Sequence, residues 1–308
     1  GICLITVLYI ERNMPLILPT NYHAIPHIEQ NDIVQWVPLG QNNDSSNHLR
    51  IGILNIMPLG HEYELNILNS LGFTTYEVEP IWIKLKSHTY KTWPEGYVDQ
   101  QYVTYEQAKD QGRLDGLIIT GAPVEHLRFE EVTYWREIVN IINDSRDYSP
   151  STLGLCWAGM AMAHLVGVKK NVFEKKLFGV FELENQISNH VIMGASDDKF
   201  VCPQSRNAGM DEIDMQKAES RGDLNLLAYG EEAGYTIYET PDHKQLIHIG
   251  HPEYNSGRLA YEARRDSTDP AVPPISNFDF ENPANVWKMH RHTFYQQWLN
   301  FCHSSIRA

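Results

Sequence analysis

Three short runs constrain what this chain can become. Residues 51–56 (Ile-Gly-Ile-Leu-Asn-Ile), 115–120 (Asp-Gly-Leu-Ile-Ile-Thr) and 152–155 (Thr-Leu-Gly-Leu) are apolar almost throughout. Each is followed by a turn and then by a segment of helical spacing. Strands that are apolar on both faces belong to a parallel sheet with helices on either side, because that arrangement buries both faces. The spacing predicts a helix over 62–71, with Leu65, Leu68 and Leu71 on one face and Gly72 closing it. Further helices are expected over 105–110, 132–143 and from Cys156 to Gly167, and a further strand over 75–85. From Phe178 onward short strands predominate (178–183, 224–229, 234–239 and 245–249), which predicts an antiparallel extension. A helix over 256–265, a Pro- and Asp-rich loop over 266–284 and an amphipathic helix over 287–301 complete the chain. The expected fold class is α/β, flavodoxin-like, a parallel sheet with helices on both faces.

Residues 14–49 are rich in Pro, Asn and His and end in a polar run at 41–47. They read as an extended arm and a loop outside the core. The expected organisation is an N-terminal arm over 1–49, one compact domain over 50–302 and a tail over 303–308. The apolar run 2–10 is too short to span a bilayer. Its charges, Glu11 and Arg12, follow it, whereas a signal peptide carries basic residues in front. Met14 is a second possible start, and residues 1–13 are assigned no role.

Lys and Arg total 25 against 39 Asp and Glu, so the net charge is 25 − 39 = −14. That balance argues against nucleic acid and anionic membrane as partners. The four cysteines (Cys3, Cys156, Cys202 and Cys302) are scattered with no CxxC pair. A soluble protein of a reducing, cytoplasmic compartment is expected. No metal is expected: His290 and His292 have no further ligands beside them in sequence, and structural or catalytic metals take three or four. They read as helix surface, and Cys202 as inert. Glycine-rich phosphate loops are absent.

The chemistry is expected at Cys156. It ends an apolar strand and opens a helix, where backbone N–H groups and the helix dipole favour a thiolate. The same N–H groups suit the oxygen of a tetrahedral intermediate. A buried, inert structural cysteine is the competing reading. In open parallel sheets ligands bind beyond the carboxyl ends of the strands. His251-Pro-Glu253 follows the strand 245–249, so a base and its orienting carboxylate are expected at a second strand end.

These residues resemble the homoserine O-acyltransferases of the trans-succinylase type, which share their architecture with class I glutamine amidotransferases. The resemblance covers residues 14–301. It rests on Ile-Thr-Gly-Ala-Pro-Val-Glu-His at 119–126, Phe129-Glu-Glu-Val-x-Tyr134-Trp135, Cys156-Trp157, Lys176 to Phe181, Ser205-Arg206, Glu231 to Gly234 and Gly250-His-Pro-Glu-Tyr254. It implies acyl transfer through a covalent Cys156 intermediate, with His251 as general base and Glu253 orienting it. It implies that Lys176 lines the site, that Ser205 and Arg206 contact substrate, and that Arg265 binds the α-carboxylate of the amino acid. The oxyanion hole would use backbone N–H groups near Trp157 and in the loop from Asn55 to Met57. No cofactor is tightly bound; an acyl-CoA is the cosubstrate, and a homodimer is implied.

Glu125 bears on the donor. Members with Glu at this position resemble acetyl-CoA users, while succinyl-CoA users carry Gly. A carboxylate beside the thioester repels a succinyl carboxylate and fills its space. The expected donor is acetyl-CoA, with a succinyl-CoA-dependent enzyme as the alternative. The acceptor is L-homoserine or L-serine, in methionine or cysteine biosynthesis. The run 59–64 and Asn207-Ala-Gly209 depart from the family pattern beside the acceptor pocket, and one methylene changes binding by only about 1–3 kcal/mol. A Cys-His-Glu hydrolase or glutaminase competes on the same sheet, although such enzymes carry Gly-x-Cys-x-Gly and here Trp157-Ala158 follows the cysteine. A non-catalytic α/β binding module is the third reading.

Overall fold

The computed structural model describes residues 16–31, 34–40, 46–270, 272–275 and 277–307. The run 2–10, Cys3 and Met14 lie outside the described residues. In chain order the elements are β1 (Leu16–Leu18), α1 (Ile25–Asn31), β2 (Trp36–Pro38), β3 (His48–Leu54), α2 (Gly60–Leu71), β4 (Glu77–Lys84), α3 (Tyr97–Gln101), β5 (Val103–Thr104), α4 (Tyr105–Asp110) and β6 (Gly116–Ile119). Then follow α5 (Trp135–Tyr148), β7 (Thr152–Leu155), α6 (Trp157–Leu165), β8 (Lys170–Asn185), β9 (Lys199–Met210), α7 (Glu212–Arg221), β10 (Asn225–Gly230), β11 (Gly234–Glu239), β12 (Gln245–His248), α8 (Ser256–Asp266) and α9 (Lys288–Arg307).

The strands form one sheet in the order β2-β1-β4-β3-β6-β7-β12-β11-β10-β8-β9, with β5 beside β4. Pairing is parallel from β2 to β12 and antiparallel from β12 to β9. The expected α/β class, a mostly parallel sheet with an antiparallel extension, is what forms. Side chains alternate between two cores. Ile51, Ile53, Ile118 and Leu153 pack with α2 and α9 on one face. Leu117, Ile119 and Ile247 pack with α5 and α6 on the other. Burial of both faces explains the near-continuous apolar runs. No helix among the described residues is long and apolar enough to cross a membrane.

The N-terminal segment corrects its sequence reading. Leu16, Ile17 and Leu18 are buried, and β1 pairs with both β2 and β4, so this stretch is part of the sheet and not an arm outside the core. A three-residue strand leaves no periodicity to read. The expected tail at 303–308 is also helix as far as Arg307, because α9 continues past Phe301. The largest addition is the hairpin of β8 and β9, 16 and 12 residues long, where only 178–183 was expected as strand. Between β9 and β10, α7 was not anticipated, although Asp211 caps its start and Gly222 ends it in the left-handed conformation.

Candidate active site

Cys156 lies between β7 and α6 with φ 47° and ψ −114°, a conformation that costs a non-glycine residue about 1–3 kcal/mol. Neighbours hold it there. Its N–H donates to the His248 carbonyl at 3.0 Å, and its own carbonyl accepts from the Met160 N–H at 3.0 Å. The turn is this tight because α6 lies directly on the sheet. A Cβ at Gly159 would meet Ile247 at 2.4 Å, so only glycine permits the approach. The backbone of Gly121, just past β6, closes over the sulfur: a Cβ there would lie 3.7 Å from Sγ.

His251 follows β12, the neighbour of β7, so two adjacent strand ends bring cysteine and histidine together. Both side chains line one pocket, close enough for the charge of each to act on the other. Its Nδ1 meets Glu253 Oε1 at 2.8 Å, and its ring stacks on Tyr254. Tyr63, on α2, donates its hydroxyl to the same Glu253 oxygen at 2.7 Å. All five side chains are buried. Burial pushes the Cys156 thiol up, and the carboxylate of Glu125 adds to this against the opposing pull of His251. The helix N-terminus therefore does not by itself make a resting thiolate. Burial also works against charging His251, but Glu253 and the Cys156 sulfur outweigh it and hold the imidazole well above its ordinary value.

The pocket above the sulfur has a volume of about 100 Å³. Glu125 is buried at its base, with Oε1 3.6 Å from Cys156 Sγ and Oε2 accepting from Asn207 Nδ2 at 3.1 Å. Ser205 donates to Glu262 at 2.5 Å, and Glu262 also accepts from Tyr254 and Arg258. Burial raises the Glu262 carboxyl, but Lys176 and Arg258 outweigh this and hold it low. Lys176 pairs with Asp266 at 2.8 Å, and Arg265 binds the same carboxylate through two N–H groups. Lys176, Ser205 and Arg265 thus join Cys156, His251 and Glu125 around one space. Arg258 and Glu262 were not singled out from the sequence, and Tyr63 and Asn207 were placed beside the acceptor pocket without a role of their own. The only signal was the four-residue spacing of Arg258 and Glu262 on α8.

Other expected positions are placed differently. Arg206 alternates with Ser205 along β9 and points the opposite way, into the core. It is fully buried and donates to Gln204 Oε1 and to the carbonyls of Ala208 and Ala233, so it is not in contact with the pocket. The Asn55–Met57 loop also departs from its expected use. The Met57 N–H already donates to Asn55 Oδ1 at 3.1 Å, and the Ile56 N–H to Thr120 Oγ1 at 2.8 Å, so neither amide is open to an oxyanion. Asn55 shapes the turn through Gly60 and Tyr102, and Met57 lends its side chain to the pocket wall. Trp157 buries its ring against Phe129, Tyr134 and Trp135, while its N–H opens α6 and has no intrahelical partner.

His290 is not on a helix surface. It is buried, 3.0 Å from His248 between Nε2 atoms, and His248 Nε2 lies 3.8 Å from Cys202 Sγ. Cys202 thus has a histidine beside it, although burial pushes its thiol well up. The Gly250 N–H donates to His248 Nδ1, which puts the proton of His248 on Nε2. That proton serves His290, and the lone pair a metal needs is absent there.

This sheet, mostly parallel with an antiparallel extension and helices on both faces, is glutamine amidotransferase-like in fold. A glutamine amidotransferase structure from Thermotoga maritima matches with a TM-score of 0.52 at 11% identity, over 85% of this chain and 99% of its own. The chain belongs to the homoserine O-succinyltransferase family of acyltransferases, whose profile matches residues 15–307. It is 33% identical to proteins named homoserine O-acetyltransferase from Bacillus licheniformis, over 94% of this chain and 96% of that one, and from Bacillus subtilis, with the same coverage. A namesake from Desulfovibrio desulfuricans is also 33% identical, over 94% and 93% of the two chains.

Proposed function

We propose that this chain transfers an acetyl group from acetyl-CoA to the hydroxyl of L-homoserine through a Cys156 thioester, in methionine biosynthesis. The observation that carries the reading is one pocket lined by Cys156, by His251 with its imidazole bound to Glu253, and by Glu125, whose carboxylate lies 3.6 Å from the sulfur. His251 takes the thiol proton as sulfur attacks the thioester carbonyl, and returns it to the departing CoA thiolate. It then takes the proton of the homoserine hydroxyl as that oxygen attacks the acyl-enzyme, and returns it to the Cys156 sulfur. The oxyanion donors are the N–H of Trp157 and those of Gly121 and Ala122, in place of Met57. Arg265 takes the α-carboxylate, and Glu262 faces the ammonium. The reading extends to a cytoplasmic homodimer with no tightly bound cofactor. Mixing the protein with acetyl-CoA alone tests it: intact and peptide mass should gain one acetyl group on Cys156 with release of one free thiol. An unmodified Cys156 overturns the reading, and acceptor turnover with homoserine and serine side by side decides between them. Serine has no observation of its own in its favour.

The donor assignment rests on Glu125. A succinyl group at Sγ would put its carboxylate against this buried one, and like charges in a desolvated site repel strongly. Glu125→Gly is expected to narrow the acetyl-over-succinyl ratio of kcat/KM by about 10-fold or more. A wild-type enzyme that already prefers succinyl-CoA sinks the assignment.

The pH dependence follows from the coupled pair. Both groups are raised, so the pair gives up its proton at higher pH than an isolated imidazole does. Activity therefore rises as that proton leaves, and the acid limb of kcat/KM should lie above about pH 6.5, the ordinary histidine value. Glu253 raises His251, so Glu253→Gln should move the limb downward while lowering the rate. A limb that stays put in the variant contradicts the assigned role.

A further inference from the structure

Glu253 meets two donors, and both reach the same oxygen. His251 Nδ1 lies 2.8 Å from Oε1, and the Tyr63 hydroxyl donates to it at 2.7 Å. Oε2 is buried and has no donor among the described residues. The other titratable groups facing the carboxylate make no hydrogen bond to it: Arg291 and Tyr295 from α9, Cys202 from β9 and Tyr254 from its own loop. Tyr63 is fully buried on α2, so its hydroxyl has no water to exchange this bond for. Burial and the charge of Glu253 hold the phenol far above its ordinary value, so it keeps its proton at any pH a transfer assay uses. α2 grips the same loop again one turn further on. The Asn255 N–H donates to Asn66 Oδ1 at 3.0 Å, and Asn66 Nδ2 donates to the Tyr63 carbonyl at 3.3 Å. The Tyr63 ring meets Tyr254 edge to face, and Tyr254 stacks on the imidazole of His251. One helix thus sets both the carboxylate and the ring on which the base rests.

A hydrogen bond donated to a carboxylate stabilises its ionised form. The imidazole and the phenol share the charge of Oε1. When His251 gives up its proton, the carboxylate loses the cation beside it, and a buried charge without a partner is costly. The phenol remains as its donor in that state. It also keeps Oε1 in line with Nδ1, which fixes the proton of the neutral imidazole on Nδ1 and leaves Nε2 as the free base. Resting on the acyl-transfer reading above, we propose that Tyr63 is a positioning residue of the reaction: its hydroxyl holds Glu253 in line with His251 and stabilises the carboxylate while the imidazole is a free base.

Tyr63→Phe removes the hydroxyl and keeps the ring. Its kcat for acetyl transfer should fall about 10-fold, with KM for acetyl-CoA changed by less than about twofold. The acid limb of kcat/KM should move up by about half a pH unit or more, because the carboxylate beside the neutral imidazole has lost its second donor. That direction is opposite to the one expected of Glu253→Gln, and in a Glu253→Gln background Tyr63→Phe should add no upward shift. Asn66→Ala loosens the same loop but leaves the hydroxyl on Glu253, so its limb should stay in place whatever rate it loses. A limb that moves equally in Asn66→Ala and Tyr63→Phe traces the effect to the loop and overturns the role. If the unmodified protein acetylates Cys156 and Tyr63→Phe leaves the limb where it was, the assignment of Tyr63 falls and the acyl-enzyme stands. If acetyl-CoA leaves Cys156 of the unmodified protein unchanged, both fall.

Discussion

Replacing Cys156 with alanine is expected to lower kcat/KM for acetyl transfer by about 10⁴-fold or more while leaving a folded protein, because a catalytic set acting as a unit fails when its nucleophile is removed. No neighbouring group can substitute for the sulfur. Glu125 is the nearest carboxylate but is itself bound by Asn207, and Ser205 is committed to Glu262. Cys202 is buried against His248 on the other side of the β9 backbone, and burial pushes its thiol well up. The fold should survive because alanine fits the same space and bears the same φ of 47° no worse than cysteine. Removing one buried sulfur costs about 1–2 kcal/mol, which a chain with two extensive cores absorbs. Parallel readouts separate the effects: acetyl adduct by mass, transfer rate, and thermal denaturation. Residual activity within tenfold of the unmodified protein, or an adduct on another residue, removes Cys156 from the mechanism.

The parts of this site that were legible in the sequence are those set by strand ends. β3, β6, β7 and β12 announce themselves as apolar runs, and each residue proposed for the chemistry follows one of them within a few positions: Glu125 after β6, Cys156 after β7, His251 and Glu253 after β12. What was not legible depends on side chains meeting across long separations. Tyr63 and Glu253 are 190 residues apart, and nothing in their own neighbourhoods marks a shared proton. Arg206 was misread because a motif gives the spacing of Ser205 and Arg206 but not the strand; on β9, adjacent residues face opposite sides. The β8–β9 hairpin was shortened in the sequence reading because charged residues, Glu174, Lys175, Lys176, Glu182 and Glu184 among them, interrupt its apolar alternation. They can do so because parts of β8 stand free of both cores. The helix-start and helix-stop signals of α7 were present in Asp211 and Gly222 and simply carry little weight beside an unread strand.

The second large effect is expected at Glu64, one residue along α2 from Tyr63. Its carboxylate is fully buried and lies at the centre of four donors. Tyr102 donates at 2.6 Å, Tyr97 at 2.9 Å to both oxygens, His23 Nε2 sits at 2.8 Å, and Tyr22 also donates. Tyr22 and His23 come from the segment between β1 and α1, so this one carboxylate fastens the N-terminal strand to the helix that supports Glu253. Tyr102 reaches further, accepting from Asn55 beneath the pocket wall at 3.1 Å. Glu64→Ala leaves the buried phenols of Tyr22 and Tyr102 without an acceptor, and burial keeps both protonated because it drives their pKa values well above the ordinary one. An unpaired buried hydroxyl costs about 1–3 kcal/mol, and loss of the central charge brings the expected total to about 3–5 kcal/mol. At about 2 °C per kcal/mol for a chain of this size, the melting temperature should fall by roughly 6–10 °C. Glu64→Gln keeps one acceptor oxygen and should lose less. Because the hub ties down the first strand, proteolysis of the Glu64→Ala protein should begin in the segment 19–40 before the rest of the sheet opens. A melting temperature within about 2 °C of the unmodified protein, with no early cut there, would mean that β1 is held by its strand pairing alone.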